Sequence, residues 1–116
     1  MKLRIKGDSI RLRLTQSEVK ALEQNEIVSE TTHFATQNLV YKLGGSNSVS
    51  EIYVDFAEGI LLVLVPAQLL NSWASSDQVG IENKARKILI EKDFQCLTPR
   101  APDEDLDTFP NPNAHC

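Results

Sequence analysis

MKLRIKGDSIRLRLTQSEVKAL, residues 1–22, decides the fold, because two strands, a tight turn and a helix start can each be read from it. Leu3 and Ile5 alternate with Lys2, Arg4 and Lys6, while Ile10, Leu12 and Leu14 alternate with Arg11 and Arg13. A period of two marks a strand with one face buried. Gly7-Asp8 between the two runs suits a two-residue type II′ hairpin turn, whose first position requires the positive φ that glycine takes freely. That register sets Ile5 opposite Ile10, Leu3 opposite Leu12, Arg4 opposite Arg11 and Lys2 opposite Arg13. One face is then aliphatic and the other carries Lys2, Arg4, Lys6, Arg11 and Arg13. Like charges directly opposite each other destabilise a ribbon. This face is therefore expected to hold an anion, supplied by another molecule or by the chain's own acidic tail.

Beyond Leu14 the pattern changes to helix. Thr15 and Glu18 have the spacing of a capping box, and Val19 and Leu22 begin an apolar stripe that ends near Gln24-Asn25. Ile27 to Phe34 and Leu39 to Leu43 read as two strands, and Gly44-Gly45-Ser46-Asn47-Ser48 as a break between units. Glu51 to Phe56 is a strand, turned at Ala57-Glu58-Gly59. Ile60 to Val65 is apolar on both faces, so it is expected to be central or covered by a partner. Pro66 starts a helix with Leu69, Leu70, Trp73 and Ala74 on its buried stripe. Val79 to Glu82 and Lys87 to Phe94 read as the last two strands.

The two halves align at a separation of 50: Ile10 with Ile60, Leu12 with Leu62, Leu14 with Leu64 and Val19 with Leu69. Two residues of drift later, Ile27 meets Val79. The predicted fold class is α+β, mostly antiparallel, an internally duplicated ββαββ unit forming a barrel-like sheet with two short helices. Residues 1–98 are expected to be one β-rich domain with halves of about 1–45 and 50–95. Residues 99–116 form a tail rich in Pro, Asp and Asn.

At 116 residues, 41% hydrophobic and 24% charged, the chain can bury a core without metal or disulfide staples. Its net charge of −4 conceals an asymmetry. Lys2, Arg4, Lys6, Arg11, Arg13 and Lys20 stand against only Asp8 and Glu18 in residues 1–20, whereas residues 101–116 hold Asp103, Glu104, Asp105 and Asp107 and no cation. The ends are electrostatic complements. Charges at Lys2, Arg4 and Lys6 interrupt any leader-like apolar run, and the longest aliphatic run, Ile60 to Val65, is far short of the roughly 20 residues of a membrane helix. A cytoplasmic protein is expected, and its two cysteines argue against an obligatory disulfide.

Gly59, the strand Ile60 to Val65, Pro66-Ala67 and the following Asp77-Gln78-Val79 resemble the AbrB-like swapped-hairpin barrels, including tandem members related to MraZ. That resemblance, over about residues 1–94, implies a barrel and a DNA-binding regulator that uses basic residues on paired strands. The chain from MKLRIKGDSIRLRLTQSEV to EKDFQCL and FPNPN also resembles a family of small bacterial proteins of unknown function, which implies no activity.

Four candidate sites follow. Lys2, Arg4, Lys6, Arg11 and Arg13 form a nucleic-acid or anion-binding ribbon; the alternative is a solvated face, or one covered by Asp103, Glu104, Asp105 and Asp107. No aromatic alternates with them, and a pI near 5.1 is low for a nucleic-acid-binding domain. Leu61, Val63 and Val65 on the two-sided apolar strand, with Phe109, are an expected interaction surface, in a homo-oligomer or by docking of Phe109 on its own chain. Cys96, His115 and Cys116, with His33, are the soft ligands, at spacings unlike a zinc motif. Glu91 and Asp93 share a face of the last strand, where such carboxylates are ordinarily solvated. No nucleophile stands in a catalytic motif, so no catalytic residue is assigned and no cofactor is expected. The function expected is a non-enzymatic binding or regulatory module acting through protein–protein contact, with nucleic-acid binding and metal binding as alternatives, and no membrane partner.

Overall fold

In the computed structural model, which describes residues 1–94, 107 and 109, the alternating first stretch forms β1 (Lys2–Lys6) and β2 (Ser9–Leu14). They pair antiparallel with Leu3 opposite Leu12 and Arg4 opposite Arg11, as the turn chemistry requires. Gly7 sits at φ 55 while Asp8 stays out of the left-handed region, the type II′ arrangement. Next comes α1 (Gln16–Glu23), opened by the Thr15/Glu18 capping box, in which the Thr15 amide donates to Glu18 Oε1 at 2.9 Å. β3 (Val28–His33) and β4 (Asn38–Ser46) follow, then β5 (Tyr53–Ala57), β6 (Ile60–Pro66), α2 (Ala67–Ala74), β7 (Gly80–Asn83) and β8 (Ile88–Lys92). The order ββαββ thus occurs twice, and the α+β class is as expected. No helix is long and apolar enough to cross a membrane.

The strands do not close into a barrel. They make two four-stranded mixed sheets, β1-β2-β8-β7 and β3-β4-β6-β5, each with antiparallel hairpins on the outside and one parallel pair, β2–β8 or β4–β6, at its centre. Each half gives one hairpin to each sheet, so neither sheet can form from one half alone. The ladders end at β1 and β7 in one sheet and at β3 and β5 in the other. What unites the sheets is a shared core: Leu12, Leu14, Ile81, Ile88 and Ile90 from one, Val28, Leu43, Val63 and Val65 from the other, and Val19, Leu22, Leu70 and Trp73 from the helices.

The correspondence between halves is one residue longer than a separation of 50. Leu12 matches Val63, Leu14 matches Val65, Val19 matches Leu70 and Leu22 matches Trp73, and every one of these is buried. A one-residue slip turns a strand's side chains to the other face. Because Ile60 to Val65 is apolar at every position, the sequence cannot tell the two registers apart. The same slip moves Leu69, which is exposed, off the helix's buried stripe. Trp73 is fully buried, and its indole Nε1 donates to the Val79 carbonyl at 3.1 Å.

Gly44-Gly45-Ser46 continues β4 instead of breaking it. A Cβ on Gly44 would meet Ile27 Cγ1 at 3.2 Å, and one on Gly45 would meet Leu70 Cδ2 at 3.0 Å. The glycines let Ile27 lie over one face of β4 and α2 press on the other, a packing role that resembles a linker when seen only as sequence.

Candidate anion-binding groove

The five cations of the first hairpin lie on one face of the β1-β2-β8-β7 sheet, and the parallel β2–β8 register decides what stands beside them. Arg11 lies next to Leu89 and Arg13 next to Glu91. The Arg13 Nε donates to Glu91 Oε1 at 2.8 Å, and the Arg11 Nε is 3.7 Å from the same oxygen. Lys2 Nζ is 3.2 Å from Oδ2 of Asp93, whose side chain is almost fully buried. One end of the ribbon is therefore neutralised by Glu91 of β8 and by Asp93 just beyond it, and these two are not the solvated pair their spacing suggested.

The opposite end differs. Among the described residues Arg4 and Lys6 have no ion-pair partner, nor do Lys84 and Lys87, which the β7–β8 turn brings to the same place. Together with Arg11, Ser9 and a single carboxylate, Glu82, they line a groove of about 410 Å³. Asn83 builds the turn: its Oδ1 accepts from the amides of Ala85 (3.1 Å) and Arg86 (3.4 Å), and its Nδ2 donates to the Ile52 carbonyl at 3.2 Å. Lys87 sits at φ 52, a left-handed conformation that costs a lysine roughly 1–2 kcal/mol. Its carbonyl accepts the Ile10 amide at 2.9 Å, which seats the turn against β2. Ser9 Oγ donates to the Lys6 carbonyl at 2.8 Å and fixes the other wall. Five cations, four of them exposed, stand around the one described carboxylate on a concave surface and repel one another, and a bound polyanion relieves that repulsion.

The tail residues that are described lie elsewhere. The Asp107 carboxylate accepts from the Ser17 amide at 3.2 and 3.3 Å and from the Ser17 hydroxyl, and the Asp107 carbonyl accepts the Gln16 amide at 2.9 Å. It thus covers the exposed amides at the start of α1, where a negative charge also meets the positive end of the helix dipole. The Ser17 hydroxyl bond, above all, holds the Asp107 carboxyl below its ordinary range. Phe109 docks in cis: its amide donates to the Asp93 carbonyl at 2.7 Å, and its ring meets Phe94 edge-on at 5.6 Å between centroids. Lys92, buried at the end of β8, places its ammonium 5.4 Å from the Phe109 ring centre and 5.7 Å from that of Trp73, and donates to the Ser76 carbonyl at 2.5 Å. Burial lowers the Lys92 pKa, against the pull of Asp77 and Glu23.

At the chain start, Glu18 and Glu30 bind the Met1 ammonium, Glu30 at 3.0 Å, and Tyr41 Oη donates to the Met1 carbonyl at 3.3 Å. Burial, then the charges of Glu30 and Glu18, raise the Tyr41 pKa.

Leu61, Val63 and Val65 are core residues, 5%, 1% and 0% exposed, so they present no accessible surface. Alternation along β6 turns Ile60, Leu62 and Leu64 to the other face. Cys96, His115 and Cys116, and Asp103, Glu104 and Asp105, lie outside the described residues. His33 ends β3, and no metal-binding cluster of His, Cys, Asp or Glu occurs among the described residues. Sequence reasoning did not single out Lys84 and Lys87 and read Glu91 only as a solvated carboxylate, because nothing in the sequence sets β8 beside β2.

A family described as "Family of unknown function (DUF7009)" matches residues 1–113. No curated protein and no solved structure matches the chain.

Proposed function

The chain belongs to the DUF7009 family, and from that premise we propose that it is a non-enzymatic binding module whose groove takes phosphates of a nucleic-acid backbone. The observation that carries this reading is the grouping of Arg4, Lys6, Arg11, Lys84 and Lys87, from two strands and one turn, around one groove in which Glu82 is the one carboxylate among the described residues. Arginine guanidinium groups grip phosphate oxygens in bidentate fashion and lysines act as mobile point charges, so the pair of residue types suits a phosphate row. Among the described residues no aromatic side chain lines the groove. That favours contact with the backbone of a duplex over stacking of single-stranded bases. The net charge of −4 confines attraction to the groove, which makes binding weak and steep in salt.

The test is fluorescence anisotropy of a labelled DNA duplex at about 50 mM salt and above. The wild type should bind with a log–log salt slope of about −3, reflecting three or four phosphate contacts. The variant with Arg4, Arg11 and Lys87 all changed to Ala should lose binding. Arg13→Ala should behave nearly as the wild type, because Glu91 already holds that side chain. Absence of wild-type binding at the lowest salt overturns the proposal.

A further inference from the structure

The sheet β3-β4-β6-β5 has an outer face of opposite character to that of its counterpart. Ile60, Leu62 and Leu64 project from β6, Val40 and Lys42 from β4, and Tyr53 and Asp55 from β5, with Ile27 lying over Gly44. Ile27 is 65% exposed and Tyr53 43%. The charges on this face are arranged in one row: Lys42 is in register with Leu62 on one side, and Asp55 with Leu62 on the other. Neither Lys42 nor Asp55 has an ion-pair partner among the described residues.

We infer that this face binds a second copy of the chain, about a twofold axis that runs along β6 through Leu62. Such an axis lies in the plane of contact and exchanges the two flanks. It carries each Lys42 onto Asp55 of the second copy and stacks Leu62 and Leu64 on themselves, so the face is complementary to itself in both charge and apolarity. Reversed occupants fail this test: a uniformly acidic or basic partner would satisfy one flank and oppose the other. With the axis on β6, β4, β6 and β5 face their counterparts, and three strands about 4.8 Å apart and about five residues long give a patch of roughly 14 by 16 Å, smaller than a stable interface buries. The dimer is therefore weak and concentration-dependent, and it does not rest on the groove.

Sedimentation velocity of the full chain from low micromolar to about millimolar concentration tests this. The wild type should shift from monomer to dimer. Lys42→Asp alone, or Asp55→Lys alone, sets like charges across the axis and should weaken association about tenfold or more. Mixing the two variants should restore a dimer, because each then offers what the other lacks. Circular dichroism confirms that both variants fold. A wild type that stays monomeric overturns the inference, as does association that survives both single reversals, or that is lost in them and not restored on mixing. Arg4→Ala should leave the dimer unchanged, so failure of the groove and failure of this face are distinguishable.

Discussion

Asp107 supplies a carboxylate to the first turn of a helix ninety residues earlier in the chain, and what it does follows from that one contact. Ser17 and Gln16 are at the helix start, where amides have no partner within the helix. Asp107→Ala should cost roughly 0.5–1 kcal/mol at neutral pH in urea unfolding, at the low end for caps because these bonds are made at the protein surface. Its folded-state pKa is depressed, so the stabilisation is present above the unfolded-state value and disappears as pH falls through the lower folded value. Wild type and Asp107→Ala should converge in strong acid. A gap that stays constant with pH would show that the Ala variant loses something other than this charge. Lys92 illustrates the opposite sign. Its depressed pKa means the unfolded chain binds the proton more tightly, so this residue adds stability as pH rises toward the unfolded value in the alkaline range.

At the scale of elements, the parallel pairing of β2 with β8 does most to define the site. It places Glu91 where it neutralises Arg13 and leans on Arg11, and so divides five cations of one ribbon into an ion-paired end and one without ion pairs among the described residues. Glu91→Gln should release both arginines to the groove and raise duplex affinity about three- to tenfold at low salt. The same change should lower stability by no more than about 1 kcal/mol, because the arginines are more than a third exposed. Unchanged affinity, measured by the same anisotropy titration, would remove Arg11 from the binding surface. The β7–β8 turn is the second element on which the site depends. Lys87 accepts a left-handed backbone there, and its carbonyl bond to Ile10 ties the turn to the hairpin whose cations it joins.

The whole molecule has two sheets built on the same strand order, yet their outer faces carry different chemistry: cations on one, an aliphatic stripe flanked by Lys42 and Asp55 on the other. The groove and the self-contact therefore do not compete for residues. A dimer would hold two grooves together and raise the effective concentration of the second for any duplex long enough to reach both. Lys42→Asp should then weaken apparent binding of a long duplex while leaving a short one, which fills a single groove, unaffected. Equal effects on the two lengths would mean that the grooves act singly even in the dimer.

Much of this was legible in the sequence, for a physical reason. The first hairpin, its turn and its register follow from a strict alternation and a Gly-first dipeptide, which are local facts of backbone geometry and side-chain direction. Both helices, the capping box and the ββαββ order twice over follow in the same way. Tertiary structure alone decided which hairpins share a sheet, because strand partners are chosen by burial in a common core and not by nearest sequence. It also fixed the register of Ile60 to Val65, where apolarity on every position hides which face is buried. From those two decisions came the barrel that does not close, Glu91 of β8 beside the arginines of β2, and the groove where Lys84 and Lys87 meet Arg4 and Lys6.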